Sequence, residues 1–237
     1  MYDANLLNRL LMASKFDMHS CNLDNVRHSI SIDRMQRYIS KCNGSEDNAL
    51  TLYGFNMKLC EAFYTPLHCA EVTLRNHLHN VMAEKYASGW MTNGGPVLDT
   101  SEQDKINEAI RERERHSKAS DPPGLVSEIK FSFWVGLLGP GYDNTLWRSA
   151  LHKAFKAQSP SLKRKTVHGR FNMIRRFRNR VAHHEPIWSK DLKRTNAEIV
   201  DAISWMCPDK ASWTASHSRV DEVYDEYQNF LKSLTRL

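Results

Sequence analysis

Between Asp47 and Tyr86 apolar side chains recur every three or four residues: Leu52, Phe55, Leu59, Phe63, Leu67, Ala70, Leu74, Leu78 and Val81. A 3.6-residue period held this long commits the segment to helix, because the alternation of a strand is absent. Pro66 lies inside the pattern. It has no N–H and crowds the carbonyl four residues back, so the segment is predicted to kink there, or to break with Pro66 opening a second helix.

The same period recurs along the chain. Leu6, Leu7, Leu10 and Leu11 form a short amphipathic set. Ser31 and Asp33 can cap a helix through Met35, Tyr38 and Ile39, with Gly44 at its end. Residues 101–116 read as a very polar helix that packs through Ile106 and Ile110. The apolar run Val126–Leu138 is long enough for a buried helix, although strand is possible there. A long basic helix is predicted over Lys165–His184, with Val167, Phe171, Ile174, Phe177 and Val181 as its stripe. Two more follow, near Asn196–Met206 and Val220–Leu234. The reading is a single all-α domain over 1–237, with 1–30 an N-terminal extension and 99–124 a polar arm and linker.

Charge is distributed unevenly. The chain of 237 residues has 33 Lys and Arg against 27 Asp and Glu. Eleven of those 33 basic residues fall between Asn144 and His184, where there is no Asp or Glu, leaving 22 for the rest of the chain. A slightly acidic body with one basic segment points to a local polyanion site rather than general stickiness. The five cysteines (Cys21, Cys42, Cys60, Cys69 and Cys207) include no C-x-x-C pair. Zinc knuckles and disulfide frameworks are therefore poor readings, and reduced thiols the expected state. No bilayer-length apolar run and no signal-peptide pattern is visible, so a cytoplasmic protein without a membrane partner is expected.

The chemistry concentrates at the end of the basic segment, in Arg178-Asn179-Arg180-Val181-Ala182-His183-His184-Glu185-Pro186. Arginine can hold a phosphate, and histidine can move a proton near neutral pH. At 100° per residue Arg178 falls in the apolar arc, between Val167 and Phe171, so it is predicted to be buried with a partner or to line a cleft. His183 lies about 140° further round. Pro186 disfavours helix at Glu185, so the helix should turn near His183 and His184, and that turn could bring a histidine back toward Arg178. A histidine there also sits at the negative pole of the helix macrodipole, which suits a phosphate-facing acid. A plain polar cap is the alternative. The adjacent histidines point apart, which argues against a shared metal.

The Arg178-Asn179-x-x-x-His183 run resembles the R-N-x-x-x-H signature of HEPN-superfamily ribonucleases. Its extension through Pro186-Ile187 resembles the Abi-like (abortive infection, AbiD/AbiF-type) branch. Two further blocks agree: Leu52-Tyr53-x-x-Asn56 with Leu67-His68-x-x-Glu71-Val72-x-Leu74-Arg75-Asn76, and Phe133-Trp134-x-x-Leu137-Leu138 with Leu146-Trp147. Together they span roughly residues 31 to 190.

The resemblance implies a HEPN-like helical bundle with additional peripheral helices. It also implies a metal-independent endoribonuclease without cofactor, acting as a homodimer with a composite active site in phage defence or a toxin–antitoxin system. An antitoxin or a small noncoding RNA is a plausible partner. RNA cleavage by its 2′-hydroxyl needs a base, an acid at the leaving 5′-oxygen, and charge neutralisation at the phosphorane. Arg178 fits the electrostatic role and His183 one proton-transfer role, with Asn179 orienting His183 or a phosphate oxygen. A second copy facing the first would supply the missing proton-transfer group. His184 also satisfies the looser spacing, and His184 and Glu185 stand as supporting residues.

Glu71, Arg75 and Asn76 would form a second layer under the site, or Glu71 and Arg75 a simple helix-internal ion pair. Lys163, Arg164, Lys165, Arg170, Arg175, Arg176 and Arg180 are expected to touch the RNA backbone, giving affinity without sequence information. The alternative is a catalytically silent RNA- or partner-binding module in a defence complex. A helical scaffold supported only by the 101–116 arm is a third reading.

Overall fold

The computed structural model describes residues 23–155 and 162–235, and every described element is helical. The leucine set at 6–11, most of the expected N-terminal extension, and Cys21 lie outside the described residues. The described residues divide into two compact units, one comprising 23–55 with 234–235, the other the described residues of 56–233.

In the first unit, α1 (Leu23–Ile30) leads through Ser31 into α2 (Ile32–Lys41). Ser31 caps α2, its hydroxyl accepting the Arg34 N–H at 3.4 Å. Met35 and Tyr38 are buried, and Tyr38 meets Tyr53 edge-on at 5.3 Å between ring centres. Gly44, at φ 86°, closes the helix as its N–H returns to the Ile39 carbonyl. That is the left-handed conformation glycine adopts without a Cβ penalty. The capping serine and terminating glycine read in the sequence both occupy those roles.

α3 runs unbroken from Glu46 to Tyr86 over 41 residues, about 60 Å of helix. Pro66 sits inside it without ending it. Within the second unit, burial of Leu59, Phe63, Leu67, Ala70, Leu74 and Leu78 outweighs one missing backbone bond. Of the two outcomes expected at Pro66, a kink or a break, the break is not found.

α4 (Thr100–Arg115) departs from the polar arm in one respect: it docks firmly. Ile106 and Ala109 are buried and so is Glu102. The Glu102 carboxylate takes Lys105 Nζ at 2.8 Å and the Tyr142 hydroxyl at 3.3 Å. A buried carboxylate is tolerated because it is paired and hydrogen-bonded. Burial and the adjacent Glu102 and Asp99 carboxylates push the Tyr142 phenol up to about 12, against an opposing hydrogen bond from the Asp99 backbone.

Pro122, Pro123 and Gly124, expected as linker, instead open α5 (Pro122–Glu128), because proline fits the first turn of a helix, and the apolar run continues into α6 (Phe131–Gly136). Phe133 and Trp134 of α6 are fully buried, and both pack against Trp90 at 6.3 Å between ring centres. Short helical turns over Pro140–Tyr142, Asp143–Trp147 and Leu151–Phe155 follow. Then come α7 (Arg164–Ala182), α8 (Leu192–Ser204), α9 (Pro208–His217) and α10 (Val220–Leu234). Among the described residues no helix is long and apolar enough to cross a membrane.

Candidate active site at the end of α7

α7 buries Val167, Phe171, Ile174 and Phe177 of the stripe read from the sequence, whereas Val181, at the helix end, is only partly buried. Phe177 meets Phe63 of α3 edge-on at 4.8 Å between ring centres, and Phe171 meets Phe155 at 6.1 Å. These contacts fix the rotation of α7, and with it the directions in which Arg178, Asn179 and His183 leave the helix.

Arg178 is not buried. Its side chain is 45% exposed, and its Nε stands 3.6 Å from Glu71 Oε2 on α3. Arginine can lie at the edge of an apolar arc because its aliphatic stem covers apolar surface while the guanidinium reaches solvent. The predicted partner is therefore present and the predicted burial is not. Asn179 is half-buried, and His183 is exposed.

The end of α7 follows one hydrogen-bonding pattern throughout. His183 caps the helix at φ −90°, ψ 11°, and its N–H reaches the Asn179 carbonyl at 2.9 Å. His184 takes φ 56°. The His184 N–H returns to the Val181 carbonyl at 3.1 Å, and the Glu185 N–H to the Arg180 carbonyl at 2.9 Å. This is a Schellman closure with histidine at the left-handed position that glycine usually takes. The turn predicted at His183 and His184 is present, and its pivot is His184. His183 lies five residues beyond Arg178, about 140° further round the helix, so it leaves α7 on a different face from Arg178.

Three residues hold the chain beyond the turn. Arg180 pairs with Glu185 at 2.9 Å and donates to the Pro186 carbonyl at 2.8 Å. Asn56, on α3 and only 4% exposed, accepts the Ile187 N–H at 2.7 Å and the Trp188 N–H at 3.4 Å. Tyr227 of α10 donates its hydroxyl to the Trp188 carbonyl at 2.9 Å. Asn56 and Tyr227 were not among the sequence candidates for the site. The signal for Asn56 was there, since it is a lone polar residue in line with Phe63, Leu67 and Leu74 on the apolar face of α3. Tyr227 gave none, being one aromatic among several on its helix.

Of the second layer, only Glu71 touches the motif. The Nε of Arg75 is buried without a hydrogen-bond partner. Asn76 is exposed, about 140° round α3 from Glu71. His77 turns back to the Thr73 carbonyl at 3.0 Å, and His79 accepts the Trp90 indole N–H at 3.2 Å.

The basic residues divide into two groups. Arg170 bonds the Glu198 carbonyl at 2.8 Å and Asp201 at 2.9 Å, with the Trp205 ring 5.1 Å away. Arg164 reaches the Leu138 carbonyl at 2.8 Å and Asp143 at 3.3 Å. Arg175 folds onto Asn172 on its own helix. Together with Arg180 these guanidiniums brace the fold. Lys163, Lys165 and Arg176 are exposed. Lys163 and Lys165 line an open recess of about 310 Å³ with Asp143, Trp147, Arg148 and Arg164. That recess lies at the other end of α7, about 30 Å along the axis from His183. Among the described residues, no group of three or more His, Cys, Asp or Glu side chains is placed to hold a metal ion.

Comparison with protein-family models, curated proteins and solved structures returned no match.

Proposed function

We propose that this chain is a metal-independent endoribonuclease of the HEPN type that cleaves RNA by attack of its own 2′-hydroxyl, with a role in bacterial abortive infection or a toxin–antitoxin system. The observation that carries the reading is the presentation of the motif. Arg178 and His183 are exposed at the end of one helix, and the turn that follows is held by the buried Asn56. A polar cap serving only stability needs neither an arginine turned to solvent nor an exposed histidine at the same helix end.

In the proposed reaction the 2′-oxygen bonds to phosphorus and the bond to the 5′-oxygen breaks. One group removes the 2′-hydroxyl proton and another protonates the leaving oxygen. Arg178 neutralises charge on the non-bridging oxygens. His183 provides one proton transfer, and His183 of a second copy provides the other. The departure of Arg178 and His183 from different faces of α7 favours this composite arrangement, because one copy alone does not aim both at one phosphate. Lys163, Lys165 and Arg176 are the exposed charges available for the RNA backbone, and Glu71 holds the Arg178 guanidinium near its working position.

The test is chemical. Cleaved RNA should carry 2′,3′-cyclic phosphate and 5′-hydroxyl ends. A single 2′-deoxy substitution on the 5′ side of the cleaved bond should stop cleavage there. Continued cleavage of the 2′-deoxy substrate at that bond would exclude the mechanism.

A further inference from the structure

We infer that Asn56 is the positioning residue of the site, holding His183 in register through the turn that follows it. The inference rests on the ribonuclease reading and extends it to a residue on another helix, 131 positions away in sequence from the backbone it holds.

Asn56 lies among apolar neighbours on α3, where a side-chain amide is costly unless its hydrogen bonds are made. Its oxygen makes two, both to backbone N–H groups of the segment leaving the α7 turn. Its Nδ2 lies 3.8 Å from Cys60 Sγ, one turn further along α3, which sets which end of the amide faces the turn.

The held segment has no regular structure of its own between Ala182 and Leu192. Its fixed points among the described residues include the Schellman closure at His183–Glu185, the Arg180 bonds to Glu185 and Pro186, the Asn56 bonds at Ile187 and Trp188, and the Tyr227 bond at Trp188. Of these, the Asn56 bonds join the segment leaving the turn to α3, the helix that also bears Glu71 beside Arg178. One helix thus holds both halves of the motif, the arginine through Glu71 and the histidine turn through Asn56. His184 occupies a conformation that a histidine adopts only at a cost, and such a position persists where its surroundings over-determine it. A displacement of about 1 Å at a reacting group costs about 10²-fold in rate.

The experiment uses the full chain with Asn56→Leu and Asn56→Asp. Leucine keeps the volume and removes the acceptor, whereas aspartate retains an oxygen for the same two N–H groups. Asn56→Leu is expected to lower kcat on RNA by about 10²-fold with KM within about threefold. Asn56→Asp is expected to recover most of the loss. Added to His183→Ala, Asn56→Leu is expected to cost little further, since both act through one group.

Imidazole NMR of the free protein provides a readout independent of cleavage. The His183 and His184 signals are expected to move in Asn56→Leu and not in a variant of equal thermal stability altered far from the turn. Unmoved signals, or kcat of a folded Asn56→Leu equal to wild type, would overturn the inference. Equal cleavage by wild type and His183→Ala would instead overturn the ribonuclease reading, leaving the NMR result to decide whether Asn56 sets the turn.

Discussion

Arg178 of α7 and Glu71 of α3 stand 3.6 Å apart, with 45% and 24% of their side chains exposed. At that distance and exposure the pair orients more than it stabilises, because solvent screens it to at most about 1 kcal/mol. Arg178→Ala should therefore leave the thermal midpoint within a few degrees of wild type while lowering RNA cleavage by at least about 10²-fold. Calorimetry beside a cleavage assay checks both. A parallel loss of folding would make Arg178 a structural residue.

The braced and exposed arginines should behave differently. Arg170→Ala removes two hydrogen bonds to α8 and the Trp205 contact, and is expected to cost about 1–3 kcal/mol of stability. Arg176→Ala and Lys165→Ala should leave stability within about 0.5 kcal/mol. Each should weaken RNA binding and lower the slope of log affinity against log salt by about one. Fluorescence anisotropy with a 2′-deoxy oligonucleotide across a salt series reads the slope. An unchanged slope in both variants would remove them from the RNA contact.

Stability should decline on mild acidification. Burial lowers the affinity of His79 for a proton. Burial and then the Arg164 and Arg175 charges do the same for His168. The unfolded chain takes up these protons near pH 6.5, before the folded chain does. The stabilisation is therefore complete above about pH 6.5 and is lost as pH falls through the lower folded values. His79 adds a structural reason, since its Nδ1 accepts the buried Trp90 N–H and a protonated ring cannot. Urea midpoints between pH 8 and pH 5 should fall below about 6.5, and less steeply for His168→Gln. A flat profile in wild type would contradict this.

Gly95 marks the tightest backbone approach in the loop before α4. A Cβ there would overlap the Trp90 carbonyl oxygen and stand 2.8 Å from its carbon. Since that neighbour is backbone, relief requires the loop to move away from the Trp90–Phe133–Trp134 cluster. Gly95→Ala is expected to lower stability by about 2–4 kcal/mol, measured by chemical unfolding. A loss below about 0.5 kcal/mol would show that the loop can yield.

The helices were legible where side chains repeat. The α3 and α7 stripes, the Ser31 cap, the Gly44 stop and the turn at His184 all follow from local pattern and proline chemistry. Whether the helix would pass Pro66 or break there stayed open in the sequence, because the burial that compensates for the missing bond comes from distant residues. The packing of α4 through Ile106 was legible, but the burial of Glu102 was not, because its partner Tyr142 lies forty residues away. In the site, the arginine, the histidine and Glu71 as a supporting residue were read directly, but the hold of Asn56 on the segment after the turn was not. Such long-range partners leave only an out-of-place polar residue in a stripe as their trace.

The most direct measurement compares purified wild type, Arg178→Ala and His183→Ala on a mixed RNA substrate in EDTA, with circular dichroism to verify folding. Wild type is expected to cleave, with both variants folded and at least about 10²-fold slower. Equal cleavage by all three, or cleavage by wild type only when EDTA is left out, would contradict a metal-independent site built on Arg178 and His183.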